Sequence, residues 1–457
     1  MTYRKLTTLV RDQEIDIFNG IVFDESTKLM NPTSQRSQAA SILVEEMRKQ
    51  NPDCFVIEMS GAPAPKDPTC WWHQAEIAKP GFLKEGDKHK FKNRLALIKE
   101  EQSITGAAYP KLITWKDNER KCNVCGKLPE EHVVGDDIDS YHNWEPSVNE
   151  VSYLYERMNG LTLVKFKKDC LDLPDKQFRK IVCEPTSLIR KAEQMIVATE
   201  PRAVTALMKL RELSDGFQYK EVETGETETC SLCLGSGECD EYYDLDNPDE
   251  APNLEDNNYG TRTVTCTMCL GHGKINKVHR EAQLIKCPKD DVFKDLLDEH
   301  EGIGRFVTYA GFQASVDKLV KIALQYDWDV LRVDGRGWEF LSSFNSDIKM
   351  HNKDMLREFQ HGDRTKICFI GQPGAAGMGL TLTASPSCFF YSNSFNGEDR
   401  LQAMDRIHRP GMDKNLGATI IDVVHLETDE YILQNLQKKI NLLHMSMGQL
   451  RGVHNAS

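Results

Sequence analysis

The sequence predicts an α/β protein whose mainly parallel strands are covered by helices on both faces. Short apolar runs ending in turn residues, near 20–24, 54–59, 305–310, 329–333, 367–370, 388–392 and 418–426, read as strands. Segments of helical periodicity lie between them, and that alternation with short turns favours a parallel sheet. Two cysteine-rich stretches interrupt the pattern and mark small insertions rather than further layers.

Composition sets the bounds. A length of 457 residues suggests about three domains, or two large ones with insertions. With 40% hydrophobic and 28% charged residues, a sizeable core is possible. No run of 18 apolar residues and no charged-then-apolar leader is found, so the expectation is a cytoplasmic protein that neither spans a membrane nor is secreted. A net charge of −13 confines any nucleic-acid contact to a local groove. Several of the fourteen cysteines fall in CxxC pairs, which without an export signal points to zinc rather than disulfides.

In chain order, Gly20 to Asp24 is an apolar strand ending in two adjacent carboxylates, Asp24 and Glu25, followed by Ser26 and Thr27. Thr33 to Gln50 reads as a helix, and Cys54 to Met59 as a strand leading into Ser60-Gly61-Ala62-Pro63. Phe82 to Gln102, rich in lysine and glutamate, reads as a solvated helix, with Trp71, Trp72 and His73 as packing before it. Cys122 and Cys125, followed by Gly126, form a knuckle that brings two thiolates to one tetrahedral ion. His132 and His142 are the chosen partners; each reads equally as a surface histidine, and His89 is a weaker candidate.

Thr186 to Ser214 is helical, with Leu207, Leu210 and Leu213 as a buried stripe. Cys230-Ser-Leu-Cys233-Leu-Gly-Ser-Gly then recurs as Cys266-Thr-Met-Cys269-Leu-Gly-His-Gly. The doubled CxxCxGxG reads as one four-cysteine zinc site, its glycines letting the backbone fold around the sulfurs. It resembles half of the zinc-binding module of DnaJ-type chaperones. The arm between the halves is acidic and a poor DNA contact, and Cys239 and Cys287 fall outside the repeat. Farther on, Gln313 to Tyr326 and Phe344 to Phe359 read as helices, and Thr428 to Leu450 as a closing helix.

The richest stretch runs from Lys366 to Arg409. It reads as a strand, a glycine turn, a second strand and a short helix bearing Gln402, Asp405, Arg406, His408 and Arg409. Two guanidinium forks three residues apart on one helical face can meet one anion. Gly374 to Thr381 nearly matches a phosphate-cradling loop, but Leu380 stands where the lysine should be, so alone it is a tight turn.

GAAGMGLTLTAS followed by LQAMDRIHRPG strongly resembles motifs V and VI of superfamily 2 helicases, specifically the Swi/Snf-type translocases. The strand with Asp24-Glu25 and the strand before SGAP resemble motifs II and III, although DEST stands where the family has DEAH. Val164 to Lys176 resembles an element near the end of that family's first motor lobe, and Arg305 to Gly335 its motif IV and the turn after it. The resemblance implies two RecA-like lobes with parallel sheets, the first incomplete at its N-terminus, and two zinc-binding insertions. The implied boundaries are 1–115 for the partial first lobe and 116–150 for the zinc knuckle. The end of lobe one and a helical linker follow at 151–225, the CxxCxGxG module at 226–280 and the second lobe at 281–457.

The implied activity is ATP-dependent helicase or translocase action on DNA, most simply duplex, with ATP, Mg²⁺ and Zn²⁺ as cofactors. In it Asp24 holds Mg²⁺, Glu25 positions the attacking water, and Arg409 is the arginine finger with Arg406 beside it. Gln402 lies near the phosphates, and the turn with Gly377 and Gly379 contacts DNA and relays to the ATP site. No GxxxxGK loop followed by Ser or Thr occurs in the sequence. The expectation is a truncated or split gene product whose loop comes from an upstream segment or a separate chain. The alternative is a catalytically silent, zinc-bearing adaptor that keeps the motor shape.

Overall fold

The computed structural model describes residues 1–12, 18–61, 63–102, 108–116, 150–244, 259–344, 348–375 and 379–440. Among them no helix is long and apolar enough to cross a membrane. The N-terminal part is built on two parallel strands, β1 (Gly20–Asp24) and β2 (Phe55–Met59), with Asp24 opposite Met59. The connecting helix, Gln35–Gln50, is capped by Ser34 and buries Ala39, Ala40, Leu43, Val44 and Met47 at helical spacing. Its other side leaves Val22, Phe55, Ile57 and Met59 exposed along the strands. A parallel pair is normally covered on both faces, so this apolar face is incomplete as it stands.

The 82–102 segment departs from the single helix expected. A helix covers Lys88–Leu95, and Ala96–Gln102 (β3) pairs antiparallel with Ala108–Trp115 (β4). Phe91 and Leu95 are fully buried one turn apart, which anchors the helix. The strand forms through its hairpin partner, which the local run of charges does not reveal.

The large sheet holds seven strands. In chain order these are β5 (Lys176–Val182), then, beyond the insertion strands, β10 (Arg305–Tyr309), β11 (Asp329–Asp334), β12 (Gly337–Leu341), β13 (Ile367–Gly371), β14 (Ser387–Phe390) and β15 (Ala418–Val424). The spatial order is β12-β11-β13-β10-β14-β15-β5, all parallel except the β11–β12 hairpin. Alternate residues face opposite cores. Val307, Tyr309, Leu331 and Phe369 point to one, while Phe306, Val330, Cys368 and Ile370 point to the other. Strands apolar at every position therefore reflect a sheet buried on both faces. Two expectations shift here. The helix expected from Phe344 begins at Asn352, after β12 has ended at Leu341. The 164–182 stretch, expected near the end of the first lobe, contributes β5 to this second sheet.

Between the helix Ala203–Ser214 and β10 the insertion leaves the sheet as a ribbon. Its strands are β6 (Phe217–Thr229) and β9 (Lys274–Leu284), with β7 (Glu238–Asp244) and β8 (Tyr259–Thr265) as a second hairpin beyond the cysteines. At the ribbon's root sits a buried ion cluster. The Lys289 ammonium lies 3.4 Å from Asp215 and 3.1 Å from Asp429, and Lys318 lies 2.7 Å from Asp290. Ser315 and Ser214 donate to Asp215 and Asp429 at 2.6 Å. Gly216 takes φ +73° there, and a Cβ would stand 2.4 Å from that of Cys287. Only glycine fits this crossing.

Glu58 on β2 is the one carboxylate in the first sheet with both oxygens buried and no partner among the described residues. The Ser26 hydroxyl beside it is committed to Gln74 Oε1 at 2.8 Å. Burial pushes Glu58 up from 4.5 to about 8. Between those values the folded chain keeps a proton that the unfolded chain releases, so this stability is lost as pH rises through about 8. Melting temperature is expected to fall as pH rises from 4.5 to about 8 and to level off above it, and Glu58→Gln to flatten that fall, as a thermal-melt series would read.

Candidate active site and metal centre

A cleft of about 1710 Å³ opens between the N-terminal strand pair and the large sheet. Glu25, Ser60 and Gly61 line one wall; Gln402, Asp405, Arg406, His408 and Arg409 line the other, and Lys165, Lys167 and Lys168 lie along the same cavity. Glu25, Ser60 and Gly61 come from the turns after β1 and β2, where an α/β sheet leaves side chains free for ligands, whereas Gln402 and Asp405 lie on the helix Gly397–Asp405.

Glu25 has left-handed backbone angles, φ 53° and ψ 53°, as it caps the short 3₁₀ turn Ser26–Leu29. For a residue with a Cβ this costs about 1–3 kcal/mol. Its carboxylate meets Gln402, whose Nε2 donates to Glu25 Oε2 at 3.0 Å across 377 residues of sequence. One turn earlier on the helix Gly397–Asp405, Glu398 accepts from the Thr27 hydroxyl at 2.8 Å. The strand-end turn of one part is thus pinned to the helix of the other. Burial raises the Glu25 carboxyl above its ordinary range, with Glu398 and Asp24 adding to it and Arg406 and Lys28 opposing. Asp24 stands exposed at the end of β1, its Oδ1 accepting the Glu25 N–H at 3.0 Å.

The arginines are placed differently from the expectation of one helical face. The helix ends at Asp405, and Arg406, His408 and Arg409 follow in the turn after it. They still converge, because each guanidinium donates to Leu380 O at 3.3 Å. Leu380 follows Gly379, which takes φ +72°. Arg409 Nε also donates to Asp405 O at 3.0 Å. Burial alone would raise the Asp405 carboxyl, but Lys176, 2.7 Å away, and Lys167 hold it below its ordinary range. His408 Nε2 donates to Pro174 O at 2.7 Å, which fixes its tautomer and ties the 164–176 loop to this turn.

Asp24 and Glu25 at the end of β1 lie close to Glu398 on the facing helix and to Arg406 beyond it, a donor set that suits a divalent ion and an anionic phosphate. Thr27, Glu398, Lys167 and Lys176 were not singled out from sequence. The single sequence sign was the one-turn spacing of Glu398 and Gln402. Gly377, together with Cys122, Cys125, His132 and His142, lies outside the described residues.

The second site is the knuckle pair. Cys230, Cys233, Cys266 and Cys269 are buried, with their sulfurs within 4.8 Å of one another. Cys230 and Cys266 sulfurs are 3.7 Å apart, and those of Cys233 and Cys269 3.6 Å. A tetrahedron with ~2.3 Å metal–sulfur bonds has edges of about 3.8 Å, so this spacing fits zinc and not a disulfide at ~2.05 Å. Gly237 and Gly273 N–H groups donate to Cys233 and Cys269 Sγ at 3.3 and 3.2 Å. Their backbones also pack where any Cβ would collide, since one at Gly237 would lie 2.4 Å from Gly271 O.

No family model matches the chain. It is 32% identical over 142 residues to the chromatin-remodeling ATPase INO80 of Arabidopsis thaliana, covering 30% of this chain and 9% of that protein. To the CHD3-type chromatin-remodeling factor PICKLE of Arabidopsis thaliana it is 26% identical over 148 residues, 32% of this chain and 10% of that protein. To the ATP-dependent DNA helicase DDM1 of Arabidopsis thaliana it is 28% identical over 127 residues, 27% of this chain and 14% of that protein. The chain thus spans about a tenth of the length of these relatives. A solved structure of the C-terminal part of the Fun30 ATPase domain aligns with 61% of this chain and 99% of its own, at 19% identity and a TM-score of 0.35. The resemblance to Swi/Snf-type helicases stated from motifs V and VI is borne out by the curated relatives.

Metal analysis of the purified chain is expected to find at least one zinc per molecule, and Cys230→Ser to remove one equivalent and unfold the knuckles locally. Structural zinc supplies on the order of 10 kcal/mol to such a unit, so less than one equivalent in the unsubstituted chain rules the site out.

Proposed function

We propose that this chain is the motor of an ATP-dependent DNA translocase of the Swi/Snf type, hydrolysing ATP in the cleft between its two parts. The observation that carries this is the pair of contacts Glu25–Gln402 and Thr27–Glu398, which join the acidic strand end to the helix before the arginine turn. Magnesium-bound ATP would supply the phosphoryl group, with Asp24 as the residue to hold the ion. Glu25 orients and deprotonates the attacking water, and its raised proton affinity strengthens it as a base. Arg409 and Arg406 meet the γ-phosphate, where guanidinium forks neutralise charge that grows as the bond breaks. Gln402 keeps Glu25 in place until nucleotide enters. Closure on ATP and opening after hydrolysis would step the two parts along duplex DNA. The curated relatives, among them one described as a DNA helicase, support DNA as the track.

Removing the finger tests the assignment. In the enzyme completed by a GKT-bearing first-lobe fragment, Arg409→Ala is expected to cut DNA-stimulated turnover about a thousandfold while leaving DNA binding nearly intact, and Arg409→Lys to fail as a rescue because an ammonium lacks the planar fork. Near-normal ATPase in either variant would make Arg409 a structural residue.

The missing GxxxxGK loop favours a second reading, an adaptor that has the motor shape without turnover. Phosphoryl transfer depends almost wholly on positioning and charge, and no phosphate cradle is found in the sequence. The isolated chain is therefore expected to show background ATPase with or without DNA. Adding a GKT-bearing first-lobe fragment should restore hydrolysis, and Glu25→Gln should abolish what is restored. Failure of every such fragment leaves the adaptor.

A further inference from the structure

The zinc-knuckle module carries a surface that ATP hydrolysis does not use. Each CxxCxG repeat places apolar side chains at the same two positions, Leu232 and Leu234 in the first, Met268 and Leu270 in the second. All four are exposed, at 53%, 83%, 51% and 74% respectively. The two knuckles lie side by side, since the Ser231 hydroxyl reaches Met268 Sδ at 3.7 Å. The four side chains thus make the apolar tips of the paired knuckles, between the ribbon β6–β9 and the hairpin β7–β8.

These tips are costly to keep. Leu234 and Leu270 have φ of +50° and +51°, a left-handed region where glycine is at ease and leucine is not. Glycine at both positions would relieve the backbone and remove exposed apolar surface together. The surroundings are strongly charged. From Phe217 to Leu284 there are fourteen acidic residues against five basic ones, a net charge of −9 out of −13 for the whole chain. A phosphate backbone is repelled by such a field, while a cationic chain is drawn to it. The ribbon's root is fixed by the Lys289–Asp215–Asp429 cluster, so a load on the tips is passed to the large sheet.

From these apolar tips set in an acidic field, we propose that the knuckle module is a docking surface for a basic polypeptide segment that also carries apolar side chains. The acidic field attracts and orients the segment, and the four apolar side chains hold it. The proposal rests on the four-cysteine fold of the knuckles but not on ATPase activity.

Fluorescence anisotropy with the full-length chain tests it, using a labelled lysine–leucine peptide, polylysine of equal length and a labelled DNA duplex. The lysine–leucine peptide is expected to bind more tightly than polylysine and to weaken as salt rises. Leu234→Gly with Leu270→Gly should weaken peptide binding about tenfold or more, with zinc content unchanged. Glycine suits that backbone better than leucine, so a loss of binding cannot be ascribed to unfolding, and an unchanged zinc count separates this result from failure of the metal site. Equal binding by the double variant overturns the proposal. So does polylysine binding as tightly as the lysine–leucine peptide, or a duplex displacing the peptide from the module.

Discussion

A sheet buried on both faces has no place for chemistry except the ends of its strands, and that constraint organises this molecule. Phe306, Val330, Cys368 and Ile370 fill one core and Val307, Leu331 and Phe369 the other. Polar work is pushed to the turns after β1 and β2, to the helix Gly397–Asp405 and to the turn beyond it. The cleft lies where these parts meet, with Glu25 on one wall and Arg406, Arg409 and the 165–168 lysines among the groups on the other.

The side chains in that cleft hold one another in place before any ligand arrives. Leu380 O accepts from both Arg406 and Arg409, so two like charges are kept together by a shared acceptor. Asp405 is shared by Lys167 and Lys176 in the same way. Such pre-arranged charge costs no reorganisation when a phosphate enters, which is the larger part of electrostatic catalysis. The Glu25–Gln402 bond holds the opposite wall at hydrogen-bonding range.

The insertion is joined to the sheet by a different device. A buried lysine is tolerated when carboxylates surround it, and Lys289 has two, with Tyr391 O accepting as well at 3.2 Å. Burial would lower its proton affinity, but Asp429 and Asp215 raise it, so the ammonium stays charged. The cluster draws on the residues before β6, the helix after β9 and the helix at 427–440, so the ribbon's two strands leave the sheet from one rigid point.

By itself the sequence determined what depends on local pattern. The strands β10, β11, β13, β14 and β15 of the large sheet were legible because residues buried on both sides are apolar with little interruption. The knuckle cysteines were legible because metal geometry demands CxxC with glycines close behind, and the strand-end carboxylates and paired arginines because their residue types are chemically narrow. Tertiary structure alone decided what depends on distant partners. The β3–β4 hairpin hid in a charged run, β5 joined the second sheet, and the helix before Arg406 stopped at Asp405. Thr27 found Glu398 371 residues away and Lys176 found Asp405 229 residues away, and no local periodicity records such pairs. Sequence pattern reports the face a residue turns to its own element, whereas ion pairs and sheet neighbours are set only when whole elements pack.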